Sequence, residues 1–455
     1  MAEAGHSEVL RKLVHVCMVG FALFLRWIPW WLAALLAIVA MILCATWIPR
    51  RWGDRLMRPG DREGLLHSGI FLYALSVLIL VVLFRDHLEI AACAWAVLAF
   101  GDGAATLLGA SVDGTSLPWN PQKTWVGSAG FLFFGALGGG CLLIWVAQRP
   151  GAGSLQQTHA FLLATCAAFL GALTESLPLE LNDNLSVPLL AGGFLFTLQG
   201  VDPTLWTASA PGLLRNLFIG LAVNIPLAWV AWLLGTVTWS GVAGGMAIGI
   251  TIATFAGARG FLVLAAFFTL GSAATRIGYA RKARQGIAQE RGGARGIVHA
   301  VANGGIAAYL AFLSGSVAAP KREALLIAFV AALATAACDT LGSEVGPLGR
   351  RDPFLLTRLR RVPAGTPGAV SLLGTTAGAA GALLVGAFAA VLGLVPPAAV
   401  PIILLAALVG ALLESLLGAT LEPEGLIGSE TINFVNTLAG ALTALGLLRL
   451  FRGLA

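Results

Sequence analysis

Four carboxylates stand inside long apolar runs of this sequence: Asp102, Glu175, Asp339 and Glu414. Placing a charge at the centre of a bilayer costs about 2.5–3.5 kcal/mol even on the lenient insertion scale, so an intramembrane acid points to a cavity or a reaction. The acids form two pairs, 73 residues apart in the first and 75 in the second. Asp183 and Glu344 lie nearby in sequence and supply further carboxylate oxygens. Cations accompany each pair. EVLRKLVHV puts Glu8, Arg11, Lys12 and His15 at i, i+3, i+4 and i+7, one helical face. GGARGIVHAVANG puts Arg295, His299 and Asn303 at i, i+4 and i+8, again one face. Glycine-rich turns complete the parts: KTWVGSAG, with Lys123, Thr124, Gly127 and Ser128, and VPAGTPGAVS, with Gly365, Gly368 and Ser371.

This set of residue types suits a nucleotide held with a divalent cation. Mg²⁺ takes one or two carboxylates together with phosphate oxygens and water. A glycine-rich turn opening a helix offers backbone N–H groups to phosphate. Lys123, Arg281, Lys282, Arg350 and Arg351 can neutralise phosphate charge. Asp102, Glu175, Asp183, Asp339, Glu344 and Glu414 are the candidate ligands for Mg²⁺ or another divalent ion. Phosphoryl transfer depends mainly on positioning and electrostatics of this kind. The chain has no GxxxxGK[ST] loop, no protein-kinase motif set and no HExxH.

The elements that must position these residues are membrane helices. The 455 residues are 58% hydrophobic and only 11% charged, against about 25% charged in soluble domains. Mean hydropathy is +0.87. The expectation is an all-α polytopic membrane protein with about 14–15 transmembrane helices of about 20 residues each. They are centred near residues 19, 39, 77, 99, 136, 167, 193, 223, 247, 268, 306, 333, 383, 410 and 441. MAEAGHSEVLRK lacks the features of a signal peptide, so the first apolar segment is expected to stay in the membrane. Alternating the spans puts roughly two thirds of Lys and Arg on one side, which reads as N-terminus in the cytoplasm. All four buried acids then fall toward cytoplasmic helix ends, in what would be a bacterial cytoplasmic membrane. The net charge of +6 suits anionic lipid headgroups and needs no nucleic acid. Basic stretch 48–67 reads as a headgroup contact. The six cysteines show no CxxC spacing and read as small core residues.

The order of features repeats: an acid among small residues, a Gly/Ser-rich turn, an acid with Ser, then Asn before a helix ending LAG. In the first half these are AFGDGAATLLGA, KTWVGSAGF and ESLPLELNDNLSVPLLAG, with Asn184 in the last. In the second they are ACDTLGSEVG, GTPGAVSLLGTTAG, LLESLLGATLE and ETINFVNTLAG, with Asn436. Two related, parallel modules follow, residues 1–200 and 212–455, joined by a polar, Pro-bearing linker at 201–211.

On these residues the first module resembles the dolichol kinase and phytol kinase family. The likeness rests on ExxRKxxH at Glu8 to His15, FGDGAATLLG at Asp102, QKTWVGS at Lys123 to Ser128, and the stretch from Glu175 through Asp183, Asn184 and Pro188. Val126 and Asn182 stand where that family more often has acidic residues. The second module resembles a membrane family that includes the chloroplast phytyl-phosphate kinase, on GGARGIVHAVANG, ACDTLGSEVG, VPAGTPGAVSLLGT, LLESLLGATLE and ETINFVNTLAG. Glu414 stands where that family usually has Asp. The resemblance implies CTP as phosphoryl donor and two successive phosphorylations, of an isoprenoid alcohol such as phytol or geranylgeraniol and then of its monophosphate. It implies nucleotide and phosphate contacts from Arg11, Lys12, His15, Lys123, Thr124, Gly127, Ser128 and Asn184 in the first module. In the second it implies Lys282, Arg295, Asn303, Gly365, Gly368, Ser371 and Asn436. The diphosphate would feed prenylation of quinones or tocopherol.

Two other classes use similar parts. A CTP-dependent diacylglycerol kinase or a CDP-lipid cytidylyltransferase would use the same acids, the latter releasing pyrophosphate. A transporter would bind substrate at broken helices near the midplane. Its site should then be central, whereas these acids gather toward one face.

Overall fold

The computed structural model describes residues 2–57, 64–65, 67–111, 114–149, 155–178, 181–201, 203–284, 286, 294–318, 321–349 and 351–452. It divides into two compact units, Met1–Gly200 and Val201–Ala455.

In the first unit α1 (Ala2–Met18) runs into a 3₁₀ stretch (Val19–Arg26), followed by α2 (Trp30–Leu56), α3 (Gly69–Leu83) and α4 (Leu88–Ser111). A hairpin of β1 (Ser116–Leu117) and antiparallel β2 (Asn120–Thr124) leads to α5 (Trp125–Ala147), α6 (Gln157–Ser176) and α7 (Asp183–Gln199). α4 is the axis. Its sequence is apolar on every side, and a helix of that kind is buried; 78% of its span is enclosed, against 17% for α2. α2 instead turns Leu35, Leu36 and Ile42 outward, as a helix facing hydrocarbon does.

The second unit begins with α8 (Pro203–Leu233), α9 (Trp239–Phe255), α10 (Gly257–Arg276), the short α11 (Tyr279–Arg284), α12 (Ile297–Ser314) and α13 (Lys321–Val345). Three short strands follow, β3 (Phe354–Leu355), β4 (Arg360–Arg361) and β5 (Ala369–Val370), in sheet order β4-β3-β5. α14 (Leu372–Val391), α15 (Val400–Thr420) and α16 (Ser429–Arg452) close the unit. α13 is its axis, with 78% of its span buried. α14 approaches α13 so closely at Gly378 that a Cβ there would lie 2.5 Å from the Cys338 carbonyl oxygen. Small residues permit such contacts between membrane helices. Each unit therefore runs central acid-bearing helix, short β structure, capped helix, Glu-bearing helix, last helix.

Eleven helices among the described residues are long and apolar enough to cross a membrane, fewer than the expected 14–15. Expected spans near 19, 77, 193 and 247 fall short. The first is broken at Met18 by the 3₁₀ stretch, and α3, α7 and α9 have 15, 17 and 17 residues. Capping explains the last three. Ser68, Asn182 and Thr238 each accept a backbone N–H from the first turn and fix the helix start. Residues 203–211, read as linker, form the start of α8 instead. Pro203 sits at the first helical position, where proline is well tolerated. The cysteines are all free, but only Cys93 and Cys338 are buried; Cys17 and Cys141 are exposed. Much of stretch 48–67 extends α2, and 58–63, 66 and Arg350 lie outside the described residues.

Candidate active sites

In the first unit α1 brings Lys12 to the central helix. Lys12 Nζ is 2.5 Å from Asp102 Oδ2, and both side chains are 11% exposed. His15, three residues along the same face, has Nε2 3.8 Å from that oxygen. The His15 ring packs on Tyr73 at 4.2 Å between centroids. The Tyr73 hydroxyl donates to the His15 carbonyl (3.1 Å) and accepts from Trp95 Nε1 (2.5 Å), which ties α1 to α3 and α4. The side chain of Glu8, expected on this face, lies outside the described residues.

The β1–β2 hairpin delivers the second cation. Asn120 Nδ2 donates to the Ser176 carbonyl (3.1 Å) and Trp119 Nε1 to Ser176 Oγ (3.3 Å), pinning the hairpin to the end of α6. Lys123 then pairs with Glu175 and lies 3.5 Å from Asp183 Oδ2. Burial pulls the Lys123 ammonium down, but Glu175 and Asp183 more than reverse this and hold it above the usual lysine range. The charges of Asp102, Glu175 and Lys123 act on one another, so this is one cluster. Glu175 Oε2 and Ser128 Oγ are buried without a hydrogen-bond partner among the described residues. Thr124 and Gly127 serve the fold directly, because Thr124 Oγ1 accepts the Gly127 N–H at 3.1 Å and caps α5. Asn184 Nδ2 donates to the Gly69 carbonyl (3.1 Å) and links α7 to α3.

A cavity of about 860 Å³ opens onto this cluster. Arg11, Lys12, His15, Asp102, Lys123, Asp183 and Asn184 line its polar end. Leu25, Ala37, Leu43, Ala74, Val77 and Trp95 are among its apolar walls. Its size lies within the range of about 300–1,000 Å³ for small-molecule sites.

In the second unit the charges of Glu414, Glu430 and Arg295 all reach Asp339 on the central helix. Glu414 Oε2 accepts from Ser415 Oγ at 3.2 Å. His299 Nδ1 is 3.1 Å from Glu430 Oε1, and Asn303 Nδ2 donates to the His299 carbonyl (3.0 Å). Arg295 precedes α12, so the expected single helical face begins only at His299. Burial pulls the Arg295 guanidinium down, with Glu344, Glu430 and Asp339 opposing. Lys282 is 2% exposed. Its ammonium donates to the carbonyls of Thr275 (3.1 Å) and Glu344 (3.5 Å) and pairs with the Glu344 carboxylate. An ammonium has three donors, so Lys282 locks α10 to α13 and has none left for phosphate. Arg281 Nη1 likewise donates to the Leu348 carbonyl at 3.2 Å. Ser371 Oγ accepts the Gly374 N–H at 3.0 Å and caps α14, as Thr124 caps α5. Gly365 and Gly368 take left-handed turns, φ +89° and +67°. Asn436 is fully buried, and neither amide atom has a partner among the described residues.

Among the described residues no three His, Cys, Asp or Glu side chains gather as a metal cage. The six candidate carboxylates are divided instead among lysine partners and neighbouring acids. The sequence reading missed Tyr73, Trp95, Trp119, Asn120 and Glu430. Two signals were available: Tyr73 is one of only three tyrosines in the chain and lies in an apolar run, and Trp119-Asn120 immediately precedes the Lys123 motif.

The fold and these clusters define a polytopic membrane protein with charged sites built around acid-bearing central helices. Residues 222–441 match the family described as Integral membrane protein DUF92. An uncharacterized membrane protein of Synechocystis sp. is 36% identical over 218 residues, 48% of this chain and 79% of its own length. The chloroplastic protein VTE6 of Arabidopsis thaliana is 30% identical over 260 residues, 54% of this chain and 73% of that protein. Phytol kinase 1, chloroplastic, of the same plant is 33% identical over 136 residues, 29% of this chain and 43% of that enzyme, so the match spans less than half of it. The chain belongs to the DUF92 integral membrane protein family. No solved structure matches it.

Proposed function

We propose that this chain is a membrane isoprenoid kinase acting in two steps. Residues 1–200 phosphorylate an isoprenoid alcohol such as phytol or geranylgeraniol. Residues 201–455 convert the monophosphate to the diphosphate. The donor is CTP or another nucleoside triphosphate with Mg²⁺, arriving from the cytoplasm. The observation that carries this reading is the first unit's cavity, in which a tail-sized apolar space ends at Lys12, His15, Asp102, Lys123 and Asp183. An amphiphile with one reacting oxygen fits that division. The name of the phytol kinase relative supports the substrate class.

In each step the lipid oxygen forms a bond to the terminal phosphorus of the nucleotide. The bond from that phosphorus to the bridging oxygen breaks and the nucleoside diphosphate leaves; the alcohol of the first step gives up its hydroxyl proton, whereas the ionised monophosphate oxygen of the second has none to release. The transition state is loose, and the protein's contribution is placement and charge. Lys12, Arg11 and Lys123 supply cations to the phosphate oxygens. The apolar walls keep water from the reacting oxygen. The donor set fits Mg²⁺: Glu175 Oε2 is a buried acceptor without a donor, and hard oxygen ligands are what the ion prefers. Mg²⁺ needs only one or two carboxylates beside phosphate oxygens and water, so Glu175 with either Asp102 or Asp183 would hold it in the first unit, and Asp339 or Glu414 in the second. When bound, the ion neutralises charge on the transferred phosphoryl group.

The test is a product assay on membranes expressing the chain, with geranylgeraniol or phytol, γ-labelled CTP or ATP, and Mg²⁺. Diphosphate from the parent, monophosphate alone from Asp339→Ala and no product from Asp102→Ala are expected. A folded preparation that labels no isoprenoid with either nucleotide overturns the reading. Release of pyrophosphate with CDP-lipid would replace it with cytidylyl transfer.

A further inference from the structure

A second cavity, of about 470 Å³, lies inside the second unit between α8, α9, α10 and α12. Leu227, Ile248, Phe261, Leu264 and Phe268 are among its apolar walls, and Arg295, His299 and Asn303 stand at its polar end. The backbone of Arg295 is fixed. Its N–H donates to the Thr236 carbonyl and its carbonyl accepts from the Thr238 N–H, both at 3.0 Å. The side chain turns inward, where the charges of Glu344, Glu430 and Asp339 act on it but none of those carboxylates comes within ion-pair distance. Arg295 is 8% exposed, its guanidinium makes no ion pair or hydrogen bond among the described residues, and Nη2 is fully enclosed. A Cβ on Gly271 would lie 3.0 Å from Arg295 Nη2 and 3.4 Å from Thr340 Cγ2. The guanidinium therefore fits a niche left by a glycine, between the cavity and the helix that carries Asp339.

A guanidinium stays charged at any working pH, and buried donors left without acceptors are unfavourable even where carboxylates lie further off. The first unit differs on this point: Lys12 and Lys123 are each already paired with carboxylates. We propose that Arg295 is the headgroup reader of the second unit. It receives the phosphate of a single-chain lipid phosphomonoester whose tail lies in this cavity, and it discriminates against the corresponding alcohol. This rests on the two-step reading above and adds the residue that enforces its order. A phosphomonoester presents two or three anionic oxygens to the planar fork of an arginine. An alcohol offers one neutral oxygen and leaves most donors of the fork unmet. Hydrogen bonds to charged groups correspond to a preference of about 10- to 150-fold.

The experiment measures binding, without nucleotide, on the full chain in detergent. The probes are a diazirine-bearing geranylgeranyl phosphate and the matching alcohol, with labelled peptides mapped by mass. The phosphate probe is expected on α9, α10 and α12, competed by geranylgeranyl phosphate and far less by geranylgeraniol or inorganic phosphate. Arg295→Gln should weaken that labelling about 10- to 150-fold while labelling of α1–α3 is unchanged. Arg295→Lys should recover part of it. Gly271→Ala, which keeps the charge but crowds its niche, should give a smaller loss. Undiminished labelling in Arg295→Gln overturns the proposal. So does equal competition by alcohol and phosphate in the parent protein, a result that needs no variant to fold. Arg295-dependent labelling without diphosphate formation from any nucleotide would remove the two-step reading and leave the headgroup assignment standing.

Discussion

Replacing Gly368 by alanine tests whether the turn before β5 positions Glu414. Gly368 has φ +67°, and a Cβ there would stand 2.3 Å from both the Ser415 carbonyl oxygen and the Ala419 nitrogen. Both contacts are backbone atoms of α15, in the turn that carries Glu414, so no side chain can swing away to relieve them. The left-handed conformation alone costs an L-residue about 1–2 kcal/mol. Forcing a methyl into closed packing adds about 1–3 kcal/mol. Gly425 provides the control: its φ is +66°, and nothing lies within 4 Å of its Cβ position. Gly425→Ala should therefore lose only the first contribution, and Gly368→Ala about 2–5 kcal/mol in all. For a unit of this size that corresponds to roughly 5–15 °C in Tm. Denaturant unfolding of the purified chain reads the stability, and labelled product reads the activity. Gly368→Ala should lose diphosphate formation and keep monophosphate formation, and Gly425→Ala should keep both. If the two variants agree within about 0.5 kcal/mol, the close approach of turn and helix is not a real constraint and the reasoning fails.

Lys123→Met should lower turnover of the alcohol about 100-fold, the scale of losing one group that stabilises developing charge, and leave conversion of supplied monophosphate unchanged. Near-parental alcohol turnover would remove Lys123 from the site. Ala74→Phe narrows the first unit's cavity and should raise KM for a twenty-carbon alcohol more than for a ten-carbon one; equal effects on both would place the tail elsewhere. Thr124→Ala should cost about 1 kcal/mol of stability through loss of the α5 cap, with a modest loss of alcohol turnover; loss of activity without loss of stability would show a direct role for the hydroxyl.

Hydrophobicity and spacing were enough to read an all-helical membrane protein and to select Asp102 and Asp339, each on the central helix of its unit. A carboxylate in an apolar run is conspicuous because its cost there is high. Helix length was less legible. Hydropathy registers apolar content but not where a chain is stopped, and Ser68, Asn182 and Thr238 shorten three helices by capping them. Roles of cations were least legible. Lys12 and Lys282 look alike in sequence, yet Lys12 faces a cavity while all three donors of Lys282 are consumed within the fold. Long-range pairing decides between them, and the partners lie 90 and 62 residues away. The apolar cavity itself carries no sequence signal, because its walls use the same residues as any membrane helix.

The charge balance of the two units gives a physical reason for keeping both in one chain. Asp102, 8% exposed, is tolerated in the first unit because Lys12 neutralises it, and Lys123 does the same for Glu175. Lysine is a compact charge on a flexible stem, so it can leave a carboxylate when phosphate oxygens arrive. On the proposed reading, nucleotide phosphates take the lysines, and the carboxylates the lysines leave are those that would hold Mg²⁺. A neutral hydroxyl can enter such a site without disturbing its balance. In the second unit the corresponding cation is a buried arginine without an ion pair among the described residues, and Lys282 is locked to Glu344. Donors of that arginine stay unmet until a ligand brings acceptor oxygens to them. A phosphorylated lipid would bring them, and on the proposed reading the first unit supplies it. On that reading the order of the two steps follows from which cations already have hydrogen-bond partners.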